Sequence, residues 1–192
     1  METPAELDSF SETDIAFPLF GIVWESSEIL AEMMLDYHLA GDLAGKRILD
    51  LGCGMGLVSL LLKSLDADIT AMDIHAVTED FLARNASLNL VGSIPFVNAS
   101  WSDELNNLGN FDLILASDVL YEPRHIETMA AFLNSHASVN GEVIIVDPDR
   151  GQLDGFRKDM SEHGFTCESY RPNYSDQARS PFGGVVDRFY RQ

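Results

Sequence analysis

From residue 46 onward the hydrophobic period of the chain switches repeatedly. Short apolar runs of strand length alternate with longer stretches whose apolar residues recur three and four positions apart. KRILDL (46–51) precedes a leucine-rich helix at 57–65, and DITAMDI (68–74) precedes a helix at 77–89. IPFVNAS (94–100) and FDLILAS (111–117) read as strands, and residues 122–138 as a helix with Pro123 in its first turn. EVIIVDP (142–148) is a strand closed by proline, followed by a helix at 152–163. Near-continuous apolar strands separated by amphipathic helices demand burial on both faces, which only a mostly parallel sheet with helices on each side provides. FTCESY (165–170) and VVDRFY (185–190) have no helix between them, so they are expected to pair antiparallel. The expectation is an α/β, doubly wound, seven-stranded sheet, mostly parallel, with an antiparallel carboxyl-terminal strand.

Ahead of the first strand, Ile29, Leu30, Met33, Met34 and Tyr37 share one helical face, with Ser26 or Ser27 as N-cap and Gly41 as the stop. Residues 1–20 read as an amino-terminal arm, frayed over 1–14, and 21–192 as one domain. A chain of 192 residues with 46% hydrophobic and 22% charged residues holds a core of its own. No apolar run reaches the roughly 18 residues needed to span a bilayer. The acidic start METPAELDSFSETD lacks the layout of a secretory signal, and Cys53 and Cys167 are the only cysteines. A reduced, cytoplasmic protein is expected.

Asp and Glu number 31 against 12 Lys and Arg, a net charge of −19. Such a surface repels phosphate backbones, so nucleic acid is not expected as a partner. It attracts basic or neutral partners, or it serves solubility alone.

In a doubly wound sheet, ligands sit beyond the carboxyl ends of the strands. The first strand runs into Asp50-Leu51-Gly52-Cys53-Gly54-Met55-Gly56. Three glycines permit a tight turn that brings backbone N–H groups and a helix N-terminus to a ligand. Leu57 stands where a dinucleotide fingerprint wants its third glycine, and the Asp50 carboxylate would oppose a pyrophosphate. The spacing therefore points to a nucleoside with a cationic end and no phosphate, which is S-adenosylmethionine. Asp73 ends the second strand 17 residues after Gly56, where a carboxylate accepts hydrogen bonds from ribose hydroxyls, and Ile74 lies ready for adenine. Trp101, after Ser100, stacks on the base or caps the core. Ser117 joins the cofactor set at the end of the fourth strand. Asp118 and Tyr121 then meet the methyl acceptor, or cap a helix and pack. His38, His75, His125, His136 and His163 do not cluster, and no metal-ligand spacing or nucleophile elbow occurs. Arg150, in Asp147-Pro148-Asp149-Arg150, forms a local salt bridge or orients substrate.

GIVWESSEILA (21–31), ILDLGCGMGLVSL (48–60), TAMDI (70–74), Trp101 and FDLILASDVLYE (111–122) together resemble the class I, seven-β-strand S-adenosylmethionine-dependent methyltransferases. More narrowly, the chain is similar to lysine methyltransferase family 16 and to the nicotinamide N-methyltransferase-like group, over about residues 20 to 190. The resemblance implies a Rossmann-like fold. It implies that Asp50, Gly52, Gly54 and Gly56 hold the methionine end, Asp73 the ribose, and Trp101 the edge of the adenine. Trp24 would close over the cofactor, and Asp118 and Tyr121 would orient the acceptor nitrogen. Relatives often carry an acid before this tryptophan, where Ser100 stands here, so adenine recognition is expected to be weaker or to use another group. The amino-terminal arm is brief beside longer relatives, so part of a substrate platform is expected to be absent. The implied acceptor is an amine, foremost a protein lysine. The alternatives are a small-molecule amine and a non-catalytic cofactor-binding subunit.

Overall fold

A computed structural model describes residues 21–122, 126–172 and 182–191. The arm read at 1–20, Pro123, His125 and most of the loop before the last strand lie outside these residues. Five helices and seven strands follow in the order α1 (Glu25–Ala40), β1 (Arg47–Leu51), α2 (Leu57–Ser64), β2 (Asp68–Asp73), α3 (Val77–Leu88), β3 (Phe96–Asn98), β4 (Phe111–Ser117), α4 (Ile126–His136), β5 (Ala137–Asp147), α5 (Leu153–Glu162), β6 (Phe165–Tyr170) and β7 (Val185–Arg191). They form one sheet in the order β3-β2-β1-β4-β5-β7-β6. The first five strands in that order run parallel, and β7 inserts antiparallel between β5 and β6. The expected seven-stranded α/β sheet is what forms. The chain winds outward from β1 to β3 and then returns to β4, so the switch point lies between β1 and β4.

Period-two alternation sorts each central strand onto two cores. Ile48, Leu113, Leu115, Ile144 and Val146 face α1 and α2, where Leu30, Met34 and Leu62 are fully buried against them. Leu49, Leu51, Ile114, Val143 and Ile145 face α4 and α5, meeting Phe132, Leu133 and Phe156. Each such side chain contributes roughly 1.5–3 kcal/mol by leaving water.

Three boundaries differ from the sequence expectation. The α1 N-cap is Trp24, in extended conformation, rather than Ser26 or Ser27. The Ser27 hydroxyl instead donates to the Trp24 carbonyl at 2.7 Å, while Ser26 is buried. Gly41 does stop the helix, in the left-handed conformation at φ 82°. β3 keeps only three residues of the expected seven, because Pro95 has no N–H to continue an edge ladder. β5 begins at Ala137 with no loop after α4. Phe111 pairs with Ala137 but Leu113 with Glu142, so β5 bulges between them. The Gly141 that looks like a break in sequence fits the bulge, where a Cβ would lie 2.9 Å from Ser138 backbone atoms.

The antiparallel end is held by Asp187, which has no exposed surface. Arg157 on α5 grips it twice, Nε to Oδ2 at 2.7 Å and Nη2 to Oδ1 at 2.8 Å. Removing the cation leaves a buried carboxylate unpaired. Arg157→Ala is therefore expected to cost about 3 kcal/mol, read as a lower urea midpoint at pH 7. An unchanged midpoint would show that Asp187 is stable there without its partner.

Candidate active site

The carboxyl ends of β1, β2, β4 and β5 share one edge of the sheet, and every feature of the site follows from how those ends are tied. After β1 the chain turns through Gly52, Gly54 and Gly56, all at positive φ. That conformation strains any L side chain, and at two of the three positions a neighbour would also have to shift. A Cβ on Gly52 would sit 2.8 Å from Val119 Cγ1, and one on Gly56 would collide with Leu82. The Gly52 and Cys53 N–H groups donate to Met72 O, at 2.8 and 3.1 Å, which holds the turn against β2.

Asp50 falls on the α2 side of β1 and is buried. Its Oδ2 accepts both the N–H and the hydroxyl of Ser59, at 3.1 and 2.6 Å. Ser59 is the third residue of α2, whose N-cap Gly56 offers no side chain. Asp50 thus supplies from a distance the anion that a helix N-terminus favours. Burial pushes its carboxyl from 3.8 up to about 6, against the pull of the Ser59 donors, and nearby Asp73 adds to the rise.

Asp73 ends β2, buried, with both oxygens engaged by backbone. Oδ2 accepts the Gly54 N–H at 3.0 Å and Oδ1 the His75 N–H at 2.9 Å. Each oxygen keeps a second lone pair for a hydroxyl donor. The Asp73 and Ile74 carbonyls accept from Asn98 Nδ2 at 3.0 and 2.9 Å, which fixes the turn. Ile74 projects, more than half exposed. Trp101 packs half-buried on the core that carries Leu105 and Leu108. Ser100 does not stand alone. Its N–H donates to Asp103 Oδ2 at 2.7 Å, so a carboxylate enters the same turn three residues later.

At the end of β4, Ser117 pairs with Val146 and is half-buried. Asp118 then adopts φ 53°, unusual for a residue with a Cβ, and its N–H donates to Val146 O at 2.9 Å. Its side chain is 5% exposed and accepts a two-pronged pair from Arg150, Nε to Oδ1 at 2.9 Å and Nη2 to Oδ2 at 2.7 Å. The guanidinium carbon lies 5.6 Å from the Trp24 ring centre. Tyr121 is half-exposed; burial raises its hydroxyl pKa, and the charges of Glu122, Asp73 and Asp118 raise it further. Asp147, at the end of β5, accepts the Asp149 and Arg150 N–H groups at 2.7 and 3.1 Å on Oδ1.

The structure therefore gathers Trp24, Asp118, Tyr121 and Arg150 at one edge with the glycine turn and Asp73. It gives Asp50 a helix to anchor. Ser59, Asn98 and Asn85, whose Nδ2 donates to Met55 O at 3.1 Å, were not found by sequence reading. The usable signal for Asn85 is a polar residue on the apolar face of α3. A phosphate at the glycine turn would face Asp73 and Asp50, with no lysine or arginine between residues 52 and 56. A nucleoside with ribose hydroxyls and a cationic end meets complementary groups, so S-adenosylmethionine fits the residues present. No helix among the described residues is long and apolar enough to cross a membrane.

Comparison with known proteins identifies the family and the fold. A family model described as lysine methyltransferase matches residues 10–162. The Mus musculus electron transfer flavoprotein beta subunit lysine methyltransferase is 29% identical over 140 residues, covering 72% of this chain and 53% of that protein. The Mus musculus protein N-lysine methyltransferase METTL21A is 30% identical over 151 residues, 76% of this chain and 68% of its own. The chain thus spans about half the length of the first of these relatives. The crystal structure of magnesium protoporphyrin IX methyltransferase from Synechocystis PCC 6803 with bound SAM superposes with a TM-score of 0.69 at 20% identity, over 87% of this chain and 80% of that one. At that identity the likeness is one of fold.

The Asp50 clamp has a pH signature. A carboxyl raised on folding favours the folded state in its protonated form, a stability present below the unfolded pKa of 3.8 and lost as pH rises through about 6. Asp50→Asn keeps an acceptor oxygen for Ser59 without the charge. Its stability is expected to gain on the wild type between pH 4 and 6 by up to about 3 kcal/mol. Urea melts of both proteins across that range check it, and parallel curves would show that Asp50 is not the titrating group.

Proposed function

As the chain belongs to the lysine methyltransferase family, we propose that it transfers a methyl group from S-adenosylmethionine to an amine, foremost a lysine side chain of a protein. The observation that carries the reading is the sharing of one sheet edge by the glycine turn, Asp73, Asp118 and Tyr121. Two relatives named for protein lysine methylation support the acceptor class. The net charge of −19 favours a basic protein partner over a nucleic acid. The unpaired Cys53 and Cys167 support a cytoplasmic setting.

S-adenosylmethionine, when bound, supplies a methyl group on a sulfonium, a carbon open to in-line displacement. The residues of the chain position the partners. The Gly52–Gly56 turn accommodates the methionine end and Asp73 accepts the ribose hydroxyls. Ile74 and Trp101 flank the adenine, and Ser117 and Trp24 complete the cofactor contacts. Asp50 contributes through the α2 N-terminus that it anchors. The acceptor arrives with a reference pKa of about 10.4 and attacks only after losing a proton. Asp118 orients the remaining N–H groups, and the Tyr121 ring walls the slot against water. Transfer would exchange the C–S bond for an N–C bond with the electron pair left on sulfur, while Asp118 and Tyr121 hold the amine in line and its surplus proton passes to solvent.

Incubating a cell lysate with labelled S-adenosylmethionine, with and without the protein, tests the acceptor class. Label in a protein band supports the reading; label confined to the small-molecule extract would replace it with a small amine, and no label with a cofactor-binding subunit. Calorimetry tests the cofactor site. Asp73→Ala is expected to weaken S-adenosylmethionine binding by about 1–3 kcal/mol, the cost of unpaired hydroxyls, and unchanged affinity removes the ribose assignment. Asp118→Asn and Tyr121→Ala are each expected to slow turnover by at least ~10-fold, about 1.4 kcal/mol of barrier, with little change in cofactor affinity. Full activity in both variants would place the acceptor elsewhere.

A further inference from the structure

Arg150, expected to form a local salt bridge or to orient substrate, is tightly coupled to Asp118. Its guanidinium occupies both carboxylate oxygens, at 2.9 and 2.7 Å, across 32 residues of sequence. Its own N–H is tied to Asp147 Oδ1 at 3.1 Å, so the segment carrying it is held to the end of β5. Its outer face lies 5.6 Å from the Trp24 ring, a cation over an aromatic face. The pair is unequal: the Asp118 side chain is 5% exposed, that of Arg150 43%. The carboxylate is thus buried behind a guanidinium that still reaches solvent.

The surroundings explain why a cation is needed. The Asp118 charge reaches Asp147 at the end of β5, while Tyr121 feels Glu122, Asp73 and Asp118 together. The neighbouring Arg171 is committed to Asp149, at 2.6 Å. Several carboxylates therefore converge on the place where an amine must shed a proton, and an unbalanced carboxylate there holds an ammonium in its charged form.

We infer that Arg150 is a positioning residue of the acceptor site. Its guanidinium fixes the orientation of the Asp118 carboxylate, offsets its charge so that the acceptor amine is bound without being held as ammonium, and is itself braced by Trp24. The inference rests on the reading that Asp118 meets the acceptor. It also narrows the acceptor, because a site with an internally neutralised carboxylate suits an amine that reacts as free base and gives no advantage to a permanently charged group. Trp24 becomes a brace on the acceptor side of the edge as well as a cover for the cofactor.

The two charges predict opposite shifts. The probe is the protein fraction of a heat-treated cell lysate, raised in concentration until the rate of label transfer from S-adenosylmethionine no longer increases. The rate is then followed from about pH 7 to about pH 9.5, where it reports ionisation in the bound complex. Arg150→Gln is expected to slow transfer at pH 8 about 10-fold and to move the rise in rate to higher pH by about one unit. Asp118→Asn leaves the guanidinium unopposed and is expected to move the rise to lower pH. The double variant is expected to return near the wild-type position, since each change removes the other's unbalanced charge. Arg150→Lys keeps the charge but loses the fork, so its profile stays in place while its rate falls. Melting temperatures and cofactor affinity of all variants are measured alongside. Arg150→Gln that is slow with an unmoved profile, or that matches the wild type in rate and profile, overturns the inference. Full activity of Asp118→Asn overturns instead the underlying reading that Asp118 meets the acceptor.

Discussion

A buried carboxylate at the end of the central strand, Asp50, accepts two hydrogen bonds from Ser59 and so joins β1 to the first turn of α2. The segment between these two anchors is the glycine turn, and its path is decided by them. With both ends held, Gly52 passes under Val119 and Gly56 under Leu82, where a Cβ would push those side chains aside. The same path delivers the Gly54 N–H to Asp73, which closes the turn against β2. One buried ionisable group thus sets the relative position of three strand ends. Its environment opposes its charge, which is why its carboxyl rises to about 6.

The edge as a whole gathers negative charge. Asp50, Asp73, Asp118 and Asp147 stand at or just past the ends of β1, β2, β4 and β5. The protein offsets them chiefly with backbone N–H groups: Gly54 and His75 for Asp73, Asp149 and Arg150 for Asp147. Among the described residues, Asp118 alone of the four receives a two-pronged guanidinium contact. Amide donors orient a carboxylate while leaving its charge in place, which suits contact with hydroxyls and with a cationic end. A guanidinium also cancels the charge, which suits contact with an amine that must be neutral to react. On the proposed function, Asp73 with its amide donors falls to the cofactor and Asp118 with its guanidinium to the acceptor.

Away from that edge, charged groups serve the fold. Arg188 and the Tyr37 hydroxyl both bond Glu142 Oε1 at 2.8 Å, tying α1 and β7 to β5. Burial, with the Glu142 charge, keeps the Tyr37 hydroxyl from ionising. Arg157 does the same for Asp187 between α5 and the antiparallel end. These pairs lock the last strands onto the parallel sheet, and the parallel strand ends beside them stay in register.

The sequence by itself determined the period of each element, and with it the class of sheet and the positions of the strand ends, and it offered the candidate set from Trp24 to Tyr121. Period and turn chemistry are local, so Gly41 as a helix stop and Asp73 as a strand-end acid were legible without any partner. Elements whose limits depend on a neighbour were not. β5 starts five residues early because its bulge is set by pairing with β4. The roles of side chains divided in the same way. Asp50 was legible as an acid beside a glycine turn, but alternation turned it toward α2, and only the packed helix brought Ser59 to it. Arg150 was legible as a cation near a strand end. That it grips Asp118 32 residues away and lies under Trp24 was decided by the parallel pairing of β4 with β5, and by α1 crossing the face of the sheet. Spacing along a chain encodes which face a residue takes; what waits on that face is a property of the tertiary structure.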